Sequence, residues 1–217
     1  METRGSPLDE TMAIVEGSTP DIILKEAGRL FSLRGYHGTS TREIANAVGI
    51  RQPSLFHHFA SKAVIAQHLL EYDRLRSPIL QGHLGSISAT PSVRMYQTIR
   101  AEILVELTSR YELRGLYLTD ALDEEEFVFW KTEYDRAIAN ARLLIVEGMA
   151  SGEFIAANPE IVARLFDAAL MGVVRWNRGQ TSDVDPDEMA SLLMRSILAR
   201  TDDLPAIRTA ASKLSFD

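Results

Sequence analysis

Residues 40–59 read Ser40-Thr41-Arg42-Glu43-Ile44-Ala45-Asn46-Ala47-Val48-Gly49-Ile50-Arg51-Gln52-Pro53-Ser54-Leu55-Phe56-His57-His58-Phe59. Ser40 followed three positions later by Glu43 is a capping box: the serine oxygen accepts from the Glu43 N–H, and the carboxylate reaches back. A helix therefore starts there. Ile44, Ala45 and Val48 fall on its buried face, and Gly49 stands just past its end, where a left-handed residue turns the chain. Pro53 opens a second helix, with Leu55, Phe56 and Phe59 expected on its inner side. Two such short helices cannot bury a core alone. They need Leu30 and Phe31 from the preceding helix and Ile65 and Leu69 from the following one. Small Ala45 permits a close crossing, while Ile50 and Leu55 fill the hinge. The pattern predicts a helix-turn-helix, whose second helix enters the major groove of DNA.

Outward from this stretch the chain reads as helix throughout. Thr19-Pro20, Thr90-Pro91, Asn158-Pro159 and Asp185-Pro186 each pair a capping residue with a proline at the first helical position. Each is followed by apolar residues spaced near 3.6, such as Ile23, Ala27, Leu30 and Phe31, or Tyr96, Ile99, Ile103, Leu107 and Tyr111. No stretch alternates with period two, so the expected fold class is all-α. Helices are expected at about 20–34, 41–48, 53–59, 62–76, 91–110, 113–120, 124–150, 159–178 and 186–201. A connector occupies 77–90 and an irregular tail the C-terminus. The expected domains are a flexible arm (1–18), a helix-turn-helix domain (19–70) and a larger regulatory domain (71–217).

The 217 residues are 46% hydrophobic and 24% charged, enough apolar mass for a real core and too much for a disordered tail. No window is long and apolar enough for a membrane span, and the first residues lack the apolar core of a signal peptide, so a cytoplasmic protein is expected. With no cysteine there is no disulfide, thiolate nucleophile or cysteine-based zinc site. The net charge of −7 is unevenly spread: residues 1–18 carry −3, residues 19–70 carry +3, and the remainder −7. A locally basic module, with four of the five histidines, sits on an acidic body. His57 and His58 point about 100° apart on a helix and do not share one ion. His58 is expected to pack inward and His57 to face DNA. Asp123 to Glu126 read as acidic residues at a helix start. No catalytic, phosphate-loop or dinucleotide motif is present; no metal, cofactor or enzymatic activity is expected.

Residues 22–70 resemble the DNA-binding domain of the TetR family of transcriptional regulators. The resemblance rests on Ala27, Phe31 and Gly35, then Thr39, Ser40, Ile44, Ala45, Gly49 and Ile50, then Leu55, Phe56, His58, Phe59 and Lys62 at fixed spacing. By this resemblance, Arg42, Gln52, Ser54 and His57 occupy base-reading or groove-facing positions, and Ser40, Thr41 and Lys62 resemble phosphate contacts. An arginine can fork onto guanine and a glutamine onto adenine. Three residues depart from the family pattern. Phe56 replaces a usual tyrosine, Arg51 a small capping residue, and Pro53 a common glycine.

Beyond residue 70 the resemblance extends only to architecture. The stretch 159–178 is apolar nearly all round and must be covered on both sides. A twin helix across a two-fold axis would cover one side; a place at the centre of its own core is the alternative. The resemblance favours a homodimer reading a palindromic operator. Its interface candidates are Val162, Phe166, Ala169, Gly172, Val173, Met189, Leu193 and Ile197. The resemblance also implies an effector cavity. Candidate lining residues are Met95, Tyr96, Phe127, Trp130, Tyr134, Phe166 and Trp176, with Arg100 or Arg175 as polar anchors; the aromatics suit a small, mostly apolar effector. The function implied is a ligand-responsive repressor released from DNA by its effector, with the helix at 62–76 as lever. An architectural DNA-binding protein without effector and an all-helical enzyme are the competing classes.

Overall fold

The computed structural model describes residues 11–82, 88–176 and 183–214. Among them are helices α1 (Thr19–Arg34), α2 (Thr41–Val48), α3 (Gln52–His58), α4 (Lys62–Arg76), α5 (Pro91–Leu107), α6 (Arg114–Tyr117), α7 (Val128–Ala150), α8 (Pro159–Trp176), α9 (Pro186–Arg195) and α10 (Leu204–Ala211). The described residues contain no strand, only an isolated antiparallel bridge between Phe154 and Leu198. No described helix is long and apolar enough to cross a membrane.

The chain forms two compact units, Met1–Leu75 with Ser109–Thr132, and Arg76–Thr108 with Glu133–Asp217. This differs from the single cut expected after residue 70, because a later segment returns to complete the first unit. Its core joins Ile23, Leu24, Ala27, Phe31, Ile44, Leu55, Phe59, Ile65 and Leu69 to Tyr111, Leu113, Leu116, Phe127 and Trp130. Two glycines make the junction. A β-carbon on Gly115 would lie 2.1 Å from the Phe31 carbonyl carbon, and one on Gly28 would lie 2.6 Å from the Glu112 carbonyl oxygen. Backbone therefore meets backbone on both sides, a distance only glycine permits.

The same junction holds a buried charge. Asp21 is fully buried and accepts from the Tyr111 hydroxyl at 2.9 Å and the Gly17 N–H at 2.9 Å. Lys25 lies 3.0 Å and Arg110 3.6 Å away. Burial alone would raise the Asp21 carboxyl, but the Gly17, Lys25 and Tyr111 bonds outweigh it and hold it below the ordinary value. Arg110 also stacks on the rings of Tyr72 and Tyr111. Of the expected arm, residues 1–10 lie outside the described residues. Thr11 is buried and bonded to His68 at 2.8 Å, so the arm's described end is anchored.

The second unit packs α5 against α8, α9 and α10. Its core contains Tyr96, Ile99, Ile103, Phe166, Val173, Met194, Ile197 and Ile207. Gly148 leaves the space into which the Phe154 ring fits; a β-carbon there would lie 2.1 Å from the ring. The Ile155 N–H donates to the Ile197 carbonyl and the Ala199 N–H to the Glu153 carbonyl. These bonds take the chain out of helix, which is why α9 stops at Arg195 and does not run to 201. The tail expected to be irregular instead forms α10, with Leu204, Ile207 and Ala211 on one buried face. Helix α6 is a single turn, since the Thr119 hydroxyl ends it and caps the 3-10 turn Asp120–Asp123. Residues 83–87 of the connector and 177–178 of the eighth expected helix lie outside the described residues.

Candidate nucleic-acid interface

The capping box forms in both directions. The Glu43 N–H donates to Ser40 Oγ at 3.2 Å, and Glu43 Oε2 accepts from the Ser40 N–H at 2.9 Å and hydroxyl at 2.8 Å. These bonds, with Arg34 beside it, hold the Glu43 carboxyl below its usual range. Gly49 adopts the left-handed conformation (φ 79°, ψ 23°), and the Ile50 N–H returns to the Ala45 carbonyl. The turn delivers α3 with Leu55 fully buried beneath it. At the helix start the cap falls on Arg51, whose side chain makes no capping bond.

Outward-facing side chains follow from that anchoring. Arg42, Arg51, Ser54, His57 and His58 are exposed, while Thr41 and Gln52 are half-buried. Gln52 Nε2 donates to Thr41 Oγ1 at 2.9 Å, so the first residues of α2 and α3 touch and Arg42 and Arg51 flank the joint in sequence. Among the described residues Arg42, Arg51 and His57 have no ion-pair partner. Gln52, Pro53, Phe56 and His57 line a shallow concavity of about 400 Å³. Two expectations are corrected here. Phe56, placed on the inner face by periodicity, is 44% exposed, because Leu55 and Phe59 alone fill the narrow contact of a seven-residue helix. His58 is exposed too, not packed.

Lys62, a phosphate contact by resemblance, also makes contacts within the chain. Its ammonium donates to the Tyr36 carbonyl at 2.7 Å and the Thr39 carbonyl at 3.0 Å, and lies 4.1 Å over the Tyr36 ring. Two of its three donors are thus engaged in closing the loop between α1 and α2. Burial lowers its pKa against the opposing pull of Glu124 and Glu126. Among the described residues no group of histidines and carboxylates could hold a metal ion.

The effector candidates divide between the units. Phe127 and Trp130 are buried in the first core. Met95, Tyr96 and Phe166 are buried in the second. Arg100 is paired with Asp187 at 3.0 Å, which also accepts from the Tyr96 hydroxyl at 2.8 Å. Arg175 and Trp176 are exposed. Tyr134 donates to Asp167 at the wall of a polar crevice of about 250 Å³ that Arg142 and Arg164 also line. Phe127 and Trp130 therefore belong to a different core from the second-unit candidates. Of the interface candidates, Val162, Phe166, Val173 and Ile197 face their own core. The apolar residues turned outward on these helices are Ile161, Leu165, Ala168, Trp176 and Leu192.

Residues 23–69, the capped pair of helices and their supports, match the family described as "Bacterial regulatory proteins, tetR family". Over that stretch the chain is similar to the TetR family. It is 30% identical over 106 residues to IcaR of Staphylococcus aureus (strain Newman), a negative transcriptional regulator of the biofilm operon icaADBC. That match covers 48% of this chain and 55% of IcaR, so the chain spans about half the length of the curated relative it matches. The crystal structure of Mycobacterium smegmatis AmtR superposes with a TM-score of 0.73 at 26% identity, covering 88% of this chain and 90% of that one. The structure of AibR with isovaleryl coenzyme A and operator DNA superposes with a TM-score of 0.68 at 21% identity, covering 84% and 99%. The chain also carries a feature the sequence did not announce, the Asp21–Tyr111 pair, ninety positions apart. Only the burial of an aspartate inside an otherwise apolar helix face could have signalled it.

Proposed function

We propose that this chain is a transcriptional repressor that binds a palindromic operator as a homodimer and is released by a small, mostly apolar effector. The observation that carries the reading is α3, anchored by Leu55 and presenting Gln52, Ser54 and His57 outward beside the unpartnered Arg42 and Arg51. Polar side chains on an exposed helix read base edges, and flanking cations meet phosphate. The repressor role draws on IcaR, a negative regulator. Dimerisation draws on the outward face of α8, where Leu165 is 63% and Trp176 59% exposed, with Leu192 of α9 at 60%. Large apolar side chains left in water on helices of the same unit mark an association surface. That the effector is a small-molecule ligand draws on AibR, whose structure contains isovaleryl coenzyme A; its apolar character draws on the aromatic side chains among the candidate lining residues. Release follows if the effector prefers a dimer whose two reading helices no longer match the spacing of one DNA turn, about 34–36 Å.

The test is selection of bound fragments from random duplex DNA at two salt concentrations. An enriched palindrome with half-sites about one turn apart is expected. Binding that enriches nothing and vanishes in high salt would refute the reading.

A further inference from the structure

Between α7 and α8, within the second unit, lies the crevice of about 250 Å³ that the DNA-binding reading leaves unused. Tyr134, Ile138 and Arg142 recur every fourth residue on α7, so they share one face of it. Glu160, Arg164 and Asp167 keep helical spacing on α8 and share a face in the same way. Glu160 and Arg164 pair with each other at 2.8 Å. Two charges are left over. The Asp167 carboxylate accepts one bond, from the Tyr134 hydroxyl, and forms no ion pair among the described residues. Burial raises this carboxyl above its ordinary value against the pull of that bond and of Arg164, so its charge is incompletely compensated. Arg142 is half-buried and makes no hydrogen bond or ion pair among the described residues, which leaves its five N–H donors for another molecule. Tyr134 and Arg142 stand two turns apart on α7, about 12 Å of rise, and this offset keeps the guanidinium from closing on the carboxylate.

We propose that this crevice binds a small zwitterion, an amino acid whose ammonium bonds Asp167 and whose carboxylate bonds Arg142. Opposite charges that line one crevice without meeting leave a span that a molecule carrying both can bridge. A simple anion would answer Arg142 and leave Asp167 short of a donor, and a simple amine would do the reverse. The planar fork of an arginine matches a carboxylate with two parallel bonds. Ile138 and Ala139 line the same crevice and offer apolar contact to the methylenes between the two charges. Exposed Asp135 also lines it and adds to the attraction for an ammonium. Sites for drug-sized ligands run about 300–1,000 Å³, so this one takes a smaller molecule. The site is polar where the effector proposed above is mostly apolar, and it does not rest on the DNA-binding reading.

The experiment titrates the full chain, without DNA, in a calorimeter with glycine, β-alanine, γ-aminobutyrate and δ-aminovalerate, which set the two charges progressively farther apart. Butylamine and butyrate supply one charge each. One of the amino acids is expected to saturate a single site per chain. Each single-charge analogue is expected to bind at least about tenfold more weakly, since it forfeits the bonds to one charged partner. Arg142→Gln and Asp167→Asn should each weaken the amino acid by about tenfold or more. Arg142→Gln should leave butylamine binding unchanged, and Asp167→Asn should bind butyrate no more weakly than the parent. Both variants should melt no lower than the parent, because Arg142 has no partner to lose and asparagine still accepts from Tyr134. The proposal is overturned if no amino acid binds, if a single-charge analogue binds as tightly as the best amino acid, or if either variant binds that amino acid like the parent.

Discussion

Replacing Lys62 by methionine separates two roles that a basic residue at the start of α4 could have. Methionine keeps most of the stem and removes the ammonium. The variant loses two charge-assisted bonds to the Tyr36 and Thr39 carbonyls and the contact over the Tyr36 ring. Bonds to a charged group contribute about 1.5–3 kcal/mol each and a cation over a ring about 0.5–1 kcal/mol. The site is half-open to water and the ammonium is already partly desolvated, so the sum is discounted to about 2–3 kcal/mol. For a chain of this size that is a fall in melting temperature of roughly 4–12 °C. The decisive assay is operator affinity against salt concentration. A lost phosphate contact lowers the slope of log K against log salt by about 0.9. Lys62→Met should leave that slope unchanged while lowering the melting temperature. Arg51→Ala should do the reverse, lowering the slope by about 0.9 and leaving stability alone. A Lys62→Met protein that melts like the parent but shows the reduced slope would refute the reasoning.

Leu165→Asp, on the exposed face of α8, should convert a dimer to a monomer in analytical ultracentrifugation; an unchanged mass removes that face from the interface. Gly115→Ala sets a methyl 2.1 Å from the Phe31 carbonyl carbon, and should cost more than about 3 kcal/mol, beyond the usual range of core overpacking, in thermal or urea unfolding. A melt indistinguishable from the parent would show that α1 and α6 can part freely. Asp167 has its carboxyl raised above the ordinary value, chiefly by burial, against the Tyr134 bond and Arg164. Its folded pKa exceeds its unfolded pKa of about 3.9, so charging it at neutral pH opposes folding, and that penalty fades as pH falls from the folded value toward 3.9. Asp167→Asn retains an acceptor for Tyr134 and should melt at or above the parent at pH 7, the difference shrinking on acidification. A deficit at pH 7 would contradict this.

The elements governed by local chemistry were legible in the sequence. Ser40 with Glu43, Gly49, and the Asn158 and Asp185 caps all act within four residues of themselves, and the structure realises each one. The cap before Pro20 moves by one residue, from Thr19 to Ser18, since either hydroxyl can serve. What a sequence does not carry is the identity of the partner across a contact. Periodicity placed Val162, Phe166 and Val173 on a buried face of α8 but could not say whether the cover came from the same chain. Phe127 and Trp130 likewise read as aromatic core without revealing which core. The return of residues 109–132 to the first unit depends on Gly28 and Gly115, whose significance is the absence of a side chain. Phe56 misled because a two-turn helix has too little inner surface for three large residues.

The lock between Gly28, Gly115 and the Asp21 network bears on how this protein can be recombined. A graft of residues 1–75 onto a relative would bring α1 without the backbone it was shaped to meet, leaving Asp21 without Tyr111 and a strip of apolar surface open. The portion that can be exchanged is smaller, the exposed positions between Ser40 and Phe59, such as Arg42, Arg51, Ser54 and His57, while Ile44, Ala45, Leu55 and Phe59 stay fixed in the core. On the proposed DNA-binding role, changes of target sequence can accumulate there while the rest of the molecule stays constant, so diversification of DNA targets need not disturb the frame that holds α3.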